Sequence, residues 1–192
     1  MNLFKTILFL SIVLSCISCK SKKETTSESS KLVGQPNAVL DVVTGLNLGN
    51  KAPEINQTGV DGKEVTLSSL KGKLVLIDFW VRWCGRCRAE NPSVVAAYKK
   101  YTTSKFINGN GFEIFSVSLD QTKNAWLSAI EKDNLIWKSH TCDFLGWNNI
   151  VAKQYGVNSI PTNFLINGDG IIIGKGLRGE ELAKAIEAYL KK

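Results

Sequence analysis

Residues Leu74–Trp80 read LVLIDFW, and after three intervening residues comes Cys84-Gly85-Arg86-Cys87. The seven-residue run is apolar except for Asp78, the pattern of a strand covered on both faces rather than one with a wet side. Cys84–Phe106 reads as a helix, with Pro92 inside it expected to bend rather than end it. Phe112–Leu119 is a second apolar strand, so the cysteine pair sits at the strand-to-helix turn of a βαβ unit. Two cysteines at this spacing can be half of a zinc site. After a buried strand, and with no second pair to complete such a site, they read instead as a redox dithiol.

Outward from this unit the signals are those of one further half-domain. Asn124–Lys132 and Asn149–Tyr155 read as helices. Thr162–Asn167 and Ile171–Lys175 flank Gly168-Asp169-Gly170, a hairpin signal, and Glu180–Leu190 closes as an amphipathic helix. Upstream, Asp61-Gly62 lies between Glu54–Gln57 and Glu64–Leu67, which suggests another hairpin.

The spacing of the cysteines has a chemical reason. At a helix start Cys84 lies among unpaired amides and the positive end of the helix dipole, which favour a thiolate. Cys87, one turn on, can reach back to it. Cys84 is therefore expected to attack a substrate disulfide and Cys87 to resolve the mixed disulfide. Arg82, Arg86 and Arg88 crowd the pair and are expected either to lower the thiolate pKa further or to form a solvated basic rim. Trp83 is expected at the contact surface and Trp80 in the core.

The stretch Phe79-Trp80-Val81-Arg82-Trp83-Cys84-Gly85-Arg86-Cys87-Arg88-Ala89-Glu90-Asn91-Pro92, with Ser159-Ile160-Pro161-Thr162, resembles the thioredoxin superfamily, and within it the membrane-tethered bacterial TlpA/ResA-like group, related to the alkyl hydroperoxide reductase and thiol-specific antioxidant proteins. The resemblance runs from about Gly49 to the C-terminus. It implies an α/β, thioredoxin-like fold, a central mixed sheet flanked by helices, with an N-terminal β-hairpin extension. By the same resemblance Pro161 matches the cis-proline beside the disulfide, and Ile160 the edge that pairs with an extended substrate. Asp78 matches the buried carboxylate beneath the cysteines, and Glu90 an acidic residue near them. A carboxylate buried in an apolar strand has its pKa raised and can exchange a proton with Cys87 near neutral pH. Where the family usually has proline before the second cysteine, this chain has Arg86 after Gly85. A fixed positive charge there favours the thiolate form, so a less reducing couple is expected than in a proline-containing sibling.

The first 19 residues, MNLFKTILFLSIVLSCISC, place a lysine before the apolar run Ile7–Leu14 and end on small residues and cysteines. This is the layout of a secretory signal, too short to span a bilayer. A small residue before a cysteine resembles the bacterial lipobox, which makes Cys19, or alternatively Cys16, the expected lipid attachment site. Residues 20–48 read as a flexible tether and 49–192 as the thioredoxin-like domain. Five cysteines thus reduce to Cys84, Cys87 and an unpaired Cys142, expected to be an inert, partly buried thiol. His140 is not at a ligand or triad spacing, and Trp126, Trp137 and Trp147 are read as core or groove aromatics.

The net charge of +7 is scattered and partly in the tether, so no nucleic-acid partner is expected. The expectation is an exported, membrane-anchored monomer in the bacterial periplasm, needing no cofactor or metal. It would reduce disulfides of envelope proteins, with cytochrome c maturation as one setting, and be recharged by a membrane thiol reductant. Two alternatives use the same cysteines. A thiol peroxidase is disfavoured because Val81 stands where a peroxidase would carry threonine. A copper chaperone is disfavoured because the sole histidine is His140 and the sole methionine is the initiator.

Overall fold

The computed structural model describes residues 42–192. The signal segment, Cys16, Cys19 and tether residues 20–41 lie outside the described residues. Residues 42–48, read as the end of the tether, are joined to the domain: Lys51 N donates to Val43 O and Gly45 N to Lys51 O.

The elements are β1 (Asn56–Thr58), β2 (Glu64–Thr66), β3 (Leu74–Trp80), α1 (Gly85–Tyr101), β4 (Lys105–Phe106), β5 (Gly109–Asn110), β6 (Phe112–Ser118), α2 (Lys123–Lys132), β7 (Ser139–Cys142), α3 (Ile150–Gln154), β8 (Thr162–Ile166), β9 (Ile172–Lys175) and α4 (Gly179–Glu187). A five-stranded sheet runs β7-β6-β3-β8-β9. β3, β6 and β7 are parallel, whereas β8 and β9 are antiparallel to their neighbours. This is the expected mixed sheet, and the expected hairpin is present as β1–β2. β3 is buried along its whole length, as its apolar run requires.

Side chains alternate across β3. Ile77 and Phe79 face Phe164 and Tyr155, whose rings pack on Phe79 at 6.3 and 5.5 Å. Asp78 faces the opposite side, toward α1. The register then sets a polar row across four strands: Asn163, Asp78, Ser116 and His140, all buried.

Three sequence expectations differ from the structure. The first helix ends at Tyr101, not Phe106, because Thr102-Thr103-Ser104 is a poor helix former and Asn108-Gly109 turns the chain back as β4–β5. The last helix ends at Glu187, since Leu190 is drawn off to bridge Phe106. β7 was not expected at all: Ser139-His140-Thr141-Cys142 has no apolar period, yet every one of its residues is buried. The N-terminal hairpin covers this edge strand through a Gly59–Thr141 bridge. A Cβ on Gly59 would stand 2.7 Å from Val65 Cγ2 within the hairpin, and 3.5 Å, ordinary contact, from His140 O across the bridge.

Candidate active site

All the parallel strands point their C-terminal ends at one edge of the sheet, and the dithiol sits there. After Trp80 the chain turns so that Cys84 N donates to Val81 O, and Cys84 becomes the N-cap of α1. Its Sγ accepts the Cys87 amide at 3.0 Å, the capping contact that stabilises negative charge on this sulfur. The two cysteines are joined as a disulfide. Cys84 is the more accessible, 8% exposed against 2% for Cys87, so only Cys84 is offered to a partner. Trp83 stands beside it 59% exposed, and none of the described residues lies within 4 Å of the position a Cβ would take on Gly85.

Beneath the pair lies a pocket of about 10 Å³, the scale of one water molecule, shared by Asp78, Cys87, Glu90, Pro161, Asn163 and Arg178 among others. Burial pushes the Asp78 carboxyl up from 3.8 to about 7, with Arg178 opposing the rise and Glu90 adding to it. Glu90 is half-buried and accepts the Gly179 amide at 3.0 Å, which ties α1 to the start of α4. An acid that titrates near 7 beside a buried thiol can take and return a proton at physiological pH.

The arginines do not act as a group. Arg82 pairs with the buried Asp120 through Nε at 3.5 Å, and its own amide also donates to that carboxylate. Arg88 makes a two-pronged contact with Asp133, which also accepts from Asn91 Nδ2 and thereby ties α1 to α2. Each of these two arginines has a carboxylate partner, and the Arg82 side chain stays largely exposed, 46%. Arg86 is exposed and lines an open groove of about 410 Å³ with Glu90, Ile160, Pro161 and Arg178. The Ile160–Pro161 bond in this groove is cis.

Arg178 is the residue that sequence reasoning passed over. It is half-buried, its guanidinium donates to Leu177 O and Pro161 O, and it reaches both the groove and the pocket. The local sequence Gly-Leu-Arg-Gly reads only as a loop. Topology could have found it, because β9 runs antiparallel to β8 and so returns the chain to the edge where Pro161 lies.

The remaining candidates are apart from the dithiol. Cys142 is buried on β7, its thiol donating to Asp120 O at 3.4 Å, and burial pushes it up to about 11. It is more deeply buried than the expected partly buried thiol. His140 is buried, stacks on Trp137 at 5.1 Å, and is pushed down to about 4, chiefly by burial. Trp80, Trp126 and Trp137 are core, whereas Trp147 is exposed. A separate cavity of about 230 Å³, lined by Lys51, Leu67, Lys71, Val75 and Ile166 among others, lies at the opposite edge of the sheet from the cysteines.

A dithiol capping the first helix of this sheet, facing a cis-proline, defines the class as thiol–disulfide oxidoreductases of thioredoxin fold. Known proteins agree. The Redoxin family matches residues 47–190, and the chain belongs to that family. It is 32% identical over 147 residues to the thiol-disulfide oxidoreductase ResA of Bacillus cereus, covering 77% of this chain and 79% of that one. With ResA of Bacillus subtilis the identity is 31% over 157 residues, 80% of each chain. Among solved structures, the thioredoxin domain of a thiol-disulfide oxidoreductase from Bacteroides vulgatus superposes with a TM-score of 0.68 at 31% identity, over 77% of this chain and all of that one. The TlpA/ResA-like resemblance and the oxidoreductase activity are therefore borne out.

Proposed function

We propose that this oxidoreductase works in the reducing direction on disulfides of exported proteins, apocytochrome c cysteine pairs among them, from a lipid anchor at Cys19, with Cys16 as the alternative. The observation that carries the exchange chemistry is the pocket in which Asp78 meets Cys87; the same carboxyl returns the proton in the reverse reaction, so the direction is set by the potential of the couple, which the experiment below reads. A dithiol donor must deprotonate its buried second cysteine in every turnover, and this carboxyl, pushed up to about 7, is matched to that task.

The reaction runs in two exchanges. Cys84, as thiolate, attacks one sulfur of the substrate disulfide; the Cys84–substrate bond forms, and the other substrate sulfur leaves and takes a proton. Cys87 then gives its proton to Asp78 and attacks Cys84 Sγ, expelling the second substrate thiolate, which is protonated in turn. Two electrons have passed from the dithiol to the substrate, and a membrane dithiol donor must return them. Glu90 raises the proton affinity of Asp78; Ile160 and Pro161 line the groove that takes an extended substrate, and the exposed Trp83 next to Cys84 adds a further contact. Arg86 favours the thiolate and moderates the reducing power.

Equilibration of the purified full chain in defined thiol buffers tests the direction. A potential nearer ~−270 mV than ~−120 mV is expected, lowered further in Arg86→Pro; a value near ~−120 mV would make the protein an oxidant and sink the reading. Metabolic labelling with a fatty acid tests the anchor: label is expected to survive Cys16→Ser and vanish in Cys19→Ser, and an unlabelled wild-type chain would remove the anchor altogether.

A further inference from the structure

Charge is distributed unevenly around the dithiol. Arg82 and Arg88 are matched by Asp120 and Asp133. Arg86 has no carboxylate partner among the described residues. Arg178 gives its donors to two backbone carbonyls, which fix its position, and its charge is shared between the groove and Asp78 in the pocket beneath, a carboxyl whose proton affinity burial raises. Both of these arginines line the groove beside Ile160 and Pro161. Among the described residues the one carboxylate in the same groove is Glu90, which accepts the Gly179 amide. Positive charge therefore outnumbers negative two to one along the wall where a substrate strand would lie.

Disulfide exchange needs none of this. Arg86 could tune the thiolate alone, but Arg178 is on a different element and is held by the cis-proline loop itself. An extended chain pairing with the Ile160 edge places the side chains beside its own cysteine against these two walls. A guanidinium held rigidly at such a wall recognises a carboxylate with little ordering cost.

We infer that this groove selects disulfide substrates bearing carboxylates beside the reacting cysteine, with Arg86 and Arg178 as the residues that recognise them. The inference rests on the reductase reading above and adds the chemical class of its substrate.

The test uses two otherwise identical disulfide peptides, one with Glu and one with Lys on both sides of the reacting cysteine. The second-order rate at which each oxidises the reduced full chain is divided by its rate with dithiothreitol, which removes the peptides' own reactivity difference. Exposed charge pairs contribute up to about 1 kcal/mol, so the normalised ratio should favour Glu about fivefold or more at low salt. It should fall toward one in about 0.5 M NaCl, where the screening length is only a few ångströms. Arg86→Glu, at an exposed helix position, should bring the ratio to one or below, and Arg178→Gln should reduce it. A wild-type ratio within about twofold of one, or one that neither variant moves, overturns the inference while leaving the reductase reading intact. If neither peptide is reduced at all, the reductase reading itself has failed.

Discussion

Asp78 and His140 occupy the same row of the sheet, two strands apart, with Ser116 between them. Both are buried, and burial drives both away from their ordinary titration range toward the neutral form: Asp78 up to about 7, His140 down to about 4. What separates them is surroundings. Asp78 opens into the pocket that holds Cys87, with a guanidinium on one side and Glu90 near it. His140 lies against the Trp137 ring, its Nε2 within 3.2 Å of Leu135 O and its Nδ1 without a partner among the described residues. One group can exchange its proton with a reacting atom; the other is kept neutral by packing. Desolvation makes a buried group unusual, and only contact with a cavity makes it useful.

The largest effect that can break this contrast is on the second exchange. Asp78→Asn is expected to slow resolution of the Cys84 mixed disulfide by about 10² or more, the usual range for a positioned general base. His140→Phe should change it by less than about twofold. Single-turnover decay of the mixed disulfide across pH measures both. In the wild type the rate should rise through about pH 7 as Asp78 ionises. Arg178→Gln should move that midpoint to higher pH, because the guanidinium now holds Asp78 down. Equal losses in the Asp78 and His140 variants would mean that both act through folding, and the contrast would fall.

The contrast also marks how far the sequence could be read. β3, the dithiol turn and the cis-proline were legible because each is local: an apolar run, a spacing, and a short motif. Asp78 was legible because it is the single polar residue in an apolar strand. β7 was not, since Ser139, His140, Thr141 and Cys142 are buried by a hairpin whose closest approach, Gly59 to Thr141, lies far away in the chain. His140 therefore shows in the sequence only that it stands at no ligand or triad spacing. The partners of the arginines were out of local reach for the same reason. Arg82 and Arg88 stand beside the cysteines in sequence, but Asp120 and Asp133 neutralise them from other elements. Arg178, remote in sequence, reaches the site because two antiparallel strands carry it back.

A smaller effect sharpens the contrast through stability alone. Asp78 binds its proton more tightly folded than unfolded, so its ionisation costs stability as pH rises from about 3.8 to about 7, about 4 kcal/mol once complete. His140 resists protonation when folded, so it costs stability as pH falls from 6.5 to about 4, about 3 kcal/mol in all. Between pH 4 and 6.5 the two slopes oppose and nearly cancel, and each variant should uncover the slope of the group it leaves in place. Relative to wild type in urea unfolding of the oxidised protein, Asp78→Asn should gain nothing at pH 4 and progressively more up to pH 7. His140→Phe should show its relative gain at pH 4 and lose it by pH 6.5. Difference curves that run parallel in pH would mean that the two ends of the row share one environment, and that the pocket beside Cys87 does not set Asp78 apart.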